Sequence, residues 1–312
     1  MAEFLRAVGD IFTSDSTYLN AALFAGLLLF AASGEWVAER AGTINISVEA
    51  MLLSGAFTSA VGYHISGSVI VGLLFGIAGG ILIAAVQAEM SHRMVADQFV
   101  VGLTLNILVL GLAGFLEREV ETVTQRAAEW DIPGLSAIPL VGDALFGQPW
   151  PFYLLYALVP FTGWLVYRTR WGLEVRAAGE DPQSADVSGV DVNKRRRQTI
   201  YYAGITSGLG GAFLIFVQVG RFDEGIVSGR GFIAIAAVIF GGWALRGTIA
   251  GCVLFAVALS FRLSLQVLGY DRVNSEFLQA LPFLLTIFGM AIFATRVRPP
   301  AALARPFIRG LK

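Results

Sequence analysis

Two stretches of this chain, 69–90 and 95–116, each run past 20 residues with hardly a charge and are flanked by polar turns. A helix crossing a bilayer needs about 20 mostly apolar residues, so both read as membrane spans. Seven more stretches approach the same pattern, at roughly 18–33, 44–63, 151–167, 199–219, 231–244, 247–268 and 277–295. Residues 34–38 (GEWVA) lengthen the first of them. A chain of 312 residues would otherwise suggest about two soluble domains. Only 14% of it is charged, however, and 56% is hydrophobic. Soluble domains run at about 25% charged, and this chain lacks the charge to cover two of them. The expected fold is all-α: a single polytopic bundle over 1–312 with about nine spans, within a range of about eight to ten. The stretch 231–244 is the short one. At 1.5 Å per residue it reaches about 21 Å, less than the roughly 30 Å hydrocarbon core. It therefore reads as a broken helix or a re-entrant segment, which is tolerated where it lines a cavity or is buried in protein.

The scarce residues exclude whole function classes. The two lysines are Lys194 and Lys312, and neither sits in a G-x-x-x-x-G-K-[ST] context, so no P-loop is expected. Two histidines (His64, His92) and one cysteine (Cys252) supply neither a metal cluster nor a disulfide framework. A net charge of −1 predicts no nucleic-acid surface. The N-terminal MAEFLRAVGDIFTSDS does not read as a cleaved signal peptide.

Basic residues set the expected orientation. The loop 168–198 carries Arg168, Arg170, Arg176, Lys194, Arg195, Arg196 and Arg197, and the tail 296–312 carries Arg296, Arg298, Arg305, Arg309 and Lys312. Both are expected in the cytoplasm. The loop 117–150, with Glu117, Glu119, Glu121, Glu129, Asp131 and Asp143 against Arg118 and Arg126, is expected outside. Five spans precede the basic loop, which puts the N-terminus outside.

Polar groups at membrane depth are functional hypotheses by default. Asn45 and Glu49 are four apart near the start of the second span, and a helix there would place them on one face. Glu49 either lines a translocation path, faces a watery vestibule or caps a broken helix. Asn106, near the middle of the fourth span, is either a path residue or an interhelical hydrogen bond. Gln218 ends the sixth span, Arg262 reads as snorkelling to headgroups, and Asp97 suits a helix N-terminus. Gly72, Gly76 and Gly80 share one helix face, and Gly204, Gly208 and Ala212 another, which predicts close helix packing. In the basic loop, Asp181 suits an N-cap, Pro182 the first helical position and Gly189 the left-handed position after the end. These signals predict a helix at about 182–188, too short to be stable without a partner surface.

Three stretches resemble a known family. They are Glu39–Leu52 (ERAGTINISVEAML), Arg176–Pro182 (RAAGEDP) with Ala185 and Gly189 following, and Gly229–Trp243 (GRGFIAIAAVIFGGW). The likeness runs over about 20–295 and is to permease subunits of ABC importers, in the branch serving simple sugars, nucleosides and branched-chain amino acids. It is nearest the nucleoside subgroup. Ser47 and Ala50 stand where that subgroup usually has glycine, and Ala244-Leu245-Arg246 replaces its usual x-P. The resemblance implies a bacterial-type cell membrane protein that is no enzyme and binds no cofactor. ATP would be used by partner ATPase subunits. The other partners implied are a second, related permease chain and a substrate-binding lipoprotein or periplasmic protein. It also assigns Arg176, Gly179, Glu180, Asp181, Pro182, Ala185 and Gly189 to ATPase coupling, and Gly229, Arg230, Gly231, Phe232 and Trp243 to the family motif. Asn45, Glu49 and Asn106 are the candidate path residues.

The first reading is thus the permease of an ATP-driven importer for a nucleoside, with a simple sugar as runner-up. A stand-alone transporter or channel would want a relay of paired acids, for which Glu49 is the one strong candidate. It would also leave the capped helix unexplained. A membrane enzyme fits the residue inventory least.

Overall fold

A computed structural model describes residues 13–120, 122, 124–267, 284 and 298–310. The candidate span 277–295 therefore lies, but for one residue, outside the described residues. The chain is built of helices: α1 (Asp15–Arg40), α2 (Val48–Ser66), α3 (Val69–His92), α4 (Gln98–Glu119), α5 (Gly142–Phe146), α6 (Leu154–Arg168), α7 (Arg170–Glu180), α8 (Pro182–Val187), α9 (Val192–Phe213), α10 (Arg230–Phe240) and α11 (Leu245–Val267). Strands β1 (Glu129–Asp131) and β2 (Gly147–Pro149) form a small antiparallel ribbon in the 117–150 loop, pairing Trp130 with Gln148. Helix α9 continues without interruption into a π-helical turn, Leu214–Val219.

Five of these helices are long and apolar enough to cross a membrane: Asp15–Arg40, Val69–His92, Gln98–Glu119, Val192–Val219 and Leu245–Ser264. The chain is a multi-pass membrane helix bundle. Local chemistry sets several helix ends. Asp97 accepts from the Phe99 and Val100 amides at 2.9 and 3.0 Å to start α4. Asp191 accepts from the Lys194 amide at 2.9 Å to start α9. Gly67, at φ +65°, ends α2.

The second span departs from the expected 44–63. Gly42, at φ +88°, takes the chain into the left-handed region, and residues 41–47 form an irregular turn before α2 begins at Val48. Asn45 lies in that break. It does not share a helix face with Glu49, because no helix joins them.

The bundle centre is set by small residues. The glycine face of α3 meets the small-residue face of α9. A Cβ placed on Gly80 would stand 2.1 Å from the Gly204 carbonyl oxygen and 2.8 Å from the Gly208 Cα, and one on Gly76 would stand 3.0 Å from the Ala212 Cβ. Gly211 packs as closely on the Leu52 carbonyl of α2. In lipid, no hydrophobic drive holds helices together, so backbone-to-backbone approach supplies van der Waals contact that side chains would block. Around this seam lie the fully buried Phe30, Trp36, Met51, Phe213 and Phe216.

At one end of the bundle α7, α8 and the tail 298–310 form a layer across the ends of α1 and α9. The Ala302 amide donates to the Gly179 carbonyl at 2.9 Å and the Ala304 amide to the Gly42 carbonyl at 3.1 Å. Gly80→Val is expected to force α3 and α9 apart. A cost of about 1–3 kcal/mol is typical of overpacking. It should read as a lowered thermal unfolding midpoint in detergent, while Gly111→Val, at a glycine with open space around it, leaves the midpoint near wild type.

Candidate functional site

The candidate site assembles where the break before α2 meets the start of α10. Helix α10 begins at Arg230, and Gly229 precedes it at φ +80°. The first amides of a helix have no intrahelical acceptor, and here Glu49 supplies one. Its Oε1 accepts from the Gly229 amide at 2.6 Å and its Oε2 from the Gly231 amide at 2.7 Å. Glycine is required at 231, because a Cβ there would stand 2.7 Å from the Glu49 backbone nitrogen. Glu49 is thus a cap donated by another helix, and it joins two stretches about 180 residues apart in sequence.

Asn106 secures the same corner from α4. Its Oδ1 accepts from the Ala50 amide at 2.9 Å, and its Nδ2 donates to the Ile46 carbonyl at 2.9 Å. One amide therefore satisfies an early α2 donor and a carbonyl of the break. Gly102, a turn earlier on α4, lets this helix lie against the break, since a Cβ there would come 2.7 Å from that of Ile46.

Glu49, Asn106, Gly229 and Phe232 line a cavity of about 430 Å³ with Leu103, Ile107, Glu224 and Ser228. The irregular segment before α10 supplies much of one wall, and α4 the opposite one. The polar ends of Glu49 and Asn106 are already bonded to backbone, so both shape the cavity wall. Asn45 is not on that wall. It is fully buried, its Oδ1 accepting from the Ser47 hydroxyl at 2.7 Å and its backbone amide donating to Glu35 Oε1 at 3.1 Å. Arg230 turns away, with its guanidinium carbon 5.3 Å from the Phe24 ring centroid and Nη1 donating to the Ile226 carbonyl at 3.0 Å. Trp243 lies at the other end of α10, where its indole N–H donates to Glu39 and its carbonyl accepts from Trp36 Nε1 at 2.8 Å.

The residues in 176–189 gather at the bundle end instead. Asp181 caps α8, with Oδ1 accepting from the Ser184 amide at 3.0 Å and Oδ2 from its hydroxyl at 2.6 Å. Those bonds from Ser184 hold the Asp181 carboxyl below the usual aspartate range. At the other end Gly189, at φ +90°, closes a Schellman motif: its amide reaches the Asp186 carbonyl at 3.0 Å and the Val190 amide reaches the Ala185 carbonyl at 3.0 Å. Ala185 is buried against Ala178 and Val192, while Val187 is 90% exposed. Glu180 stands 3.9 Å from Arg40. Gly179 packs on α1, where a Cβ would stand 2.1 Å from the Arg40 carbonyl oxygen. Arg176 lies 5.8 Å from the Tyr167 ring centroid.

Sequence reasoning passed over Glu35, Glu39 and Arg196. All three are buried: Glu35 and Arg196 fully, Glu39 to 1% exposure. Glu35 lay inside the apolar extension 34–38 of the first span, Glu39 opened the first family-like stretch without a role of its own, and Arg196 lay inside a run that reads as solvated charge.

Fold and site together define a multi-pass membrane protein, a helical bundle with a cavity beside a broken helix and a short capped helix at one end. The chain belongs to the family described as branched-chain amino acid transport system / permease component, whose model matches residues 17–294. It is 30% identical over 296 residues to the nucleoside ABC transporter permease protein NupC of Lactococcus lactis, covering 91% of this chain and 93% of that one. It is 31% identical over 303 residues to the guanosine ABC transporter permease protein NupQ of Bacillus subtilis, covering 92% and 95%. The putative glucose ABC transporter permease protein TsgC13 of Haloferax volcanii is 32% identical over 94% of this chain and 98% of its own.

Removing the Glu49 cap should loosen the first turn of α10. Glu49→Ala leaves the Gly229 and Gly231 amides without their acceptors, a loss of about 0.5–2 kcal/mol for a cap. Amide hydrogen exchange over 226–233 is expected to accelerate in Glu49→Ala and less in Glu49→Gln, which keeps one acceptor oxygen. Equal exchange in wild type and Glu49→Ala would mean that the cap does not hold the helix.

Proposed function

We propose that this chain is the membrane-spanning permease subunit of an ATP-driven importer and forms the path for a nucleoside. The observation that carries this reading is the likeness, over nine-tenths of both chains, to permeases named for nucleoside and guanosine transport. The cavity supports it. The Glu49 carboxylate is already met by two backbone N–H groups, so its charge is answered within the wall. The lining mixes apolar side chains with Ser228, Asn106 and Glu224, which suits a partly flat solute that carries hydrogen-bond donors. A simple sugar is the second reading, favoured by the likeness to a putative glucose permease. Uptake into proteoliposomes of the whole importer, with a panel of nucleosides and sugars, separates the two. Uptake of a sugar and of no nucleoside would overturn the first.

In this reading the partners are a related second permease chain, ATPase subunits that consume ATP, and a binding protein that delivers the solute from outside. Nine crossings are reached by adding to the five apolar helices α2, α6, α10 with the irregular segment before it, and 277–295. An eleven-residue helix such as α10 is about 16 Å long, so the extended segment completes its crossing. The basic loop 168–198 and the tail lie in the cytoplasm, and the N-terminus and 117–150 lie outside. Membrane-impermeant thiol reagents, with the native Cys252 buried, are expected to label a cysteine at 143 in intact cells and not one at 190 or 305. Labelling at 190 would overturn the orientation.

Helix α8 then presents its exposed side to the ATPase, with Ala185 holding it to the bundle. A six-residue helix is too short to persist unsupported, and its caps fix its shape for a partner groove. Gly189 has open space around it, so Gly189→Val strains only the backbone, by about 1–2 kcal/mol or more. The variant is expected to insert and assemble, yet to lose the stimulation of ATP hydrolysis by loaded binding protein. A cysteine at 184 should crosslink to the ATPase. Normal stimulation in Gly189→Val together with no crosslink from 184 would make this loop an ordinary connection.

A further inference from the structure

Helix α1 carries two acids four residues apart, Glu35 and Glu39, on one face and enclosed by the bundle. Glu35 is 0% exposed and Glu39 1%, and four residues apart on one helix their side chains are neighbours on the same face. Each has one oxygen with a defined donor. Glu35 Oε1 accepts from the Asn45 amide at 3.1 Å, and Glu39 Oε2 accepts from the Trp243 indole N–H. The remaining oxygens, Glu35 Oε2 and Glu39 Oε1, are buried without a donor.

No cation among the described residues answers this pair. Arg40, next on the helix, lies toward Glu180. The Arg196 guanidinium is occupied by the carbonyls of Ala41, Ala178, Ala302 and Arg305. His92 meets the Thr43 hydroxyl through Nε2 at 3.0 Å. Tyr167 reaches this region only through its ring, 5.6 Å from that of Trp36. Two neighbouring carboxylates without a counter-charge cannot both stay ionised in a closed, weakly polar site. Each residue keeps one buried oxygen with no donor, and one shared hydrogen would answer both.

We propose that Glu35 and Glu39 form a proton-binding site in which one carboxylic O–H is donated to the other carboxylate. The proton belongs to the pair and not to either residue. Its placement gives it a positioning role. Through Glu35 the pair holds the 41–47 break that leads into Glu49, and through Glu39 it holds Trp243, a non-glycine residue at φ +54° in the turn that ends α10. The break before α2 and the turn that ends α10 are thus tied to one shared proton. The inference concerns the chain's own groups and stands whichever solute is carried.

Infrared spectroscopy of the reconstituted complex at neutral pH, with and without deuterium exchange and with carboxyl-labelled glutamate, reads the site directly. Wild type is expected to show a carboxylic-acid C=O band that is absent in both Glu35→Gln and Glu39→Gln. An amide N–H replaces the O–H in each, so both variants should assemble with a thermal midpoint near that of wild type. Glu35→Ala and Glu39→Ala leave a lone enclosed carboxylate and should assemble several-fold less. Absence of the band in wild type, its persistence in both Gln variants, or a Gln variant as damaged as its Ala counterpart would overturn the proposal. So would stabilisation of wild type by sodium or potassium that Glu35→Gln abolishes, since the pair would then hold a metal cation and not a proton.

Discussion

The Arg196 side chain fixes the end of the bundle on which the α7–α8 layer sits. It is fully buried, and its guanidinium donates to four backbone carbonyls: Ala41 at 3.0 Å, Arg305 at 2.7 Å, Ala178 at 3.3 Å and Ala302 at 3.4 Å. Those carbonyls come from the end of α1, from α7 and from the tail, segments that share no sequence neighbourhood. An enclosed guanidinium is tolerable only when its donors are met, and a planar fork of five donors is the side chain best able to meet several carbonyls at once. Lysine, a point charge with no fork, could not join three segments in this way. The neighbouring arginines complete the frame. Successive helix positions point about 100° apart, so Arg195 reaches Glu174 of α7 at 2.5 Å and Arg197 reaches Glu89 of α3 at 2.8 Å. One turn of α9 therefore grips α1, α3, α7 and the tail together.

Close approach in the middle of the bundle depends on the same helix. The glycines of α9 admit α2 and α3 to backbone contact, while its basic first turn holds the layer below. The break at 41–47 sits between these two zones. Its Gly42 carbonyl receives the Ala304 amide, and a Cβ on Gly42 would stand 2.7 Å from an Arg196 nitrogen. Glycine at 42 thus serves both the left-handed turn and the approach of the arginine.

What the sequence disclosed followed from whether a residue acts within a few positions of itself. Asp181, Pro182 and Gly189 cap a local element, and their chemistry could be read from their order alone. The spacing of Gly72, Gly76 and Gly80 likewise marked a packing face without naming its partner. Glu49 was legible as an acid in need of a role, and capping a broken helix was among the roles open to it. Its donors, the Gly229 and Gly231 amides, lie on a motif about 180 residues away, which no spacing could reveal. Asn45 misled because four residues are one helical turn only where a helix exists, and Gly42 breaks it there. Arg196 was hidden among like charges that helical geometry sends to different neighbours. Glu35 was hidden by the opposite effect, a short apolar run around it that let the span be extended through an acid, and Glu39 by standing at the head of a motif whose partner lies about 200 residues on.

The C-terminal end of α9 is held by a different set of contacts. The π-helical turn Leu214–Val219 shifts the hydrogen-bond register, and the 117–150 loop makes use of backbone groups there. The Ala127 amide donates to the Phe216 carbonyl at 2.8 Å, Arg126 Nη2 to the Gln218 carbonyl at 2.8 Å, and the Thr124 hydroxyl to the Gly220 carbonyl at 2.6 Å. The same continuous helical segment, Val192–Val219, thus meets the loop at one end and is clamped by Arg196 into the α7–α8 layer at the other. Between these ends, Gly204, Gly208 and Gly211 pack α9 backbone-close against α3 and α2. The irregular segment that follows this turn lines the cavity and leads into α10. Loop, cavity and layer are therefore joined by one helix and the strand of backbone that leaves it.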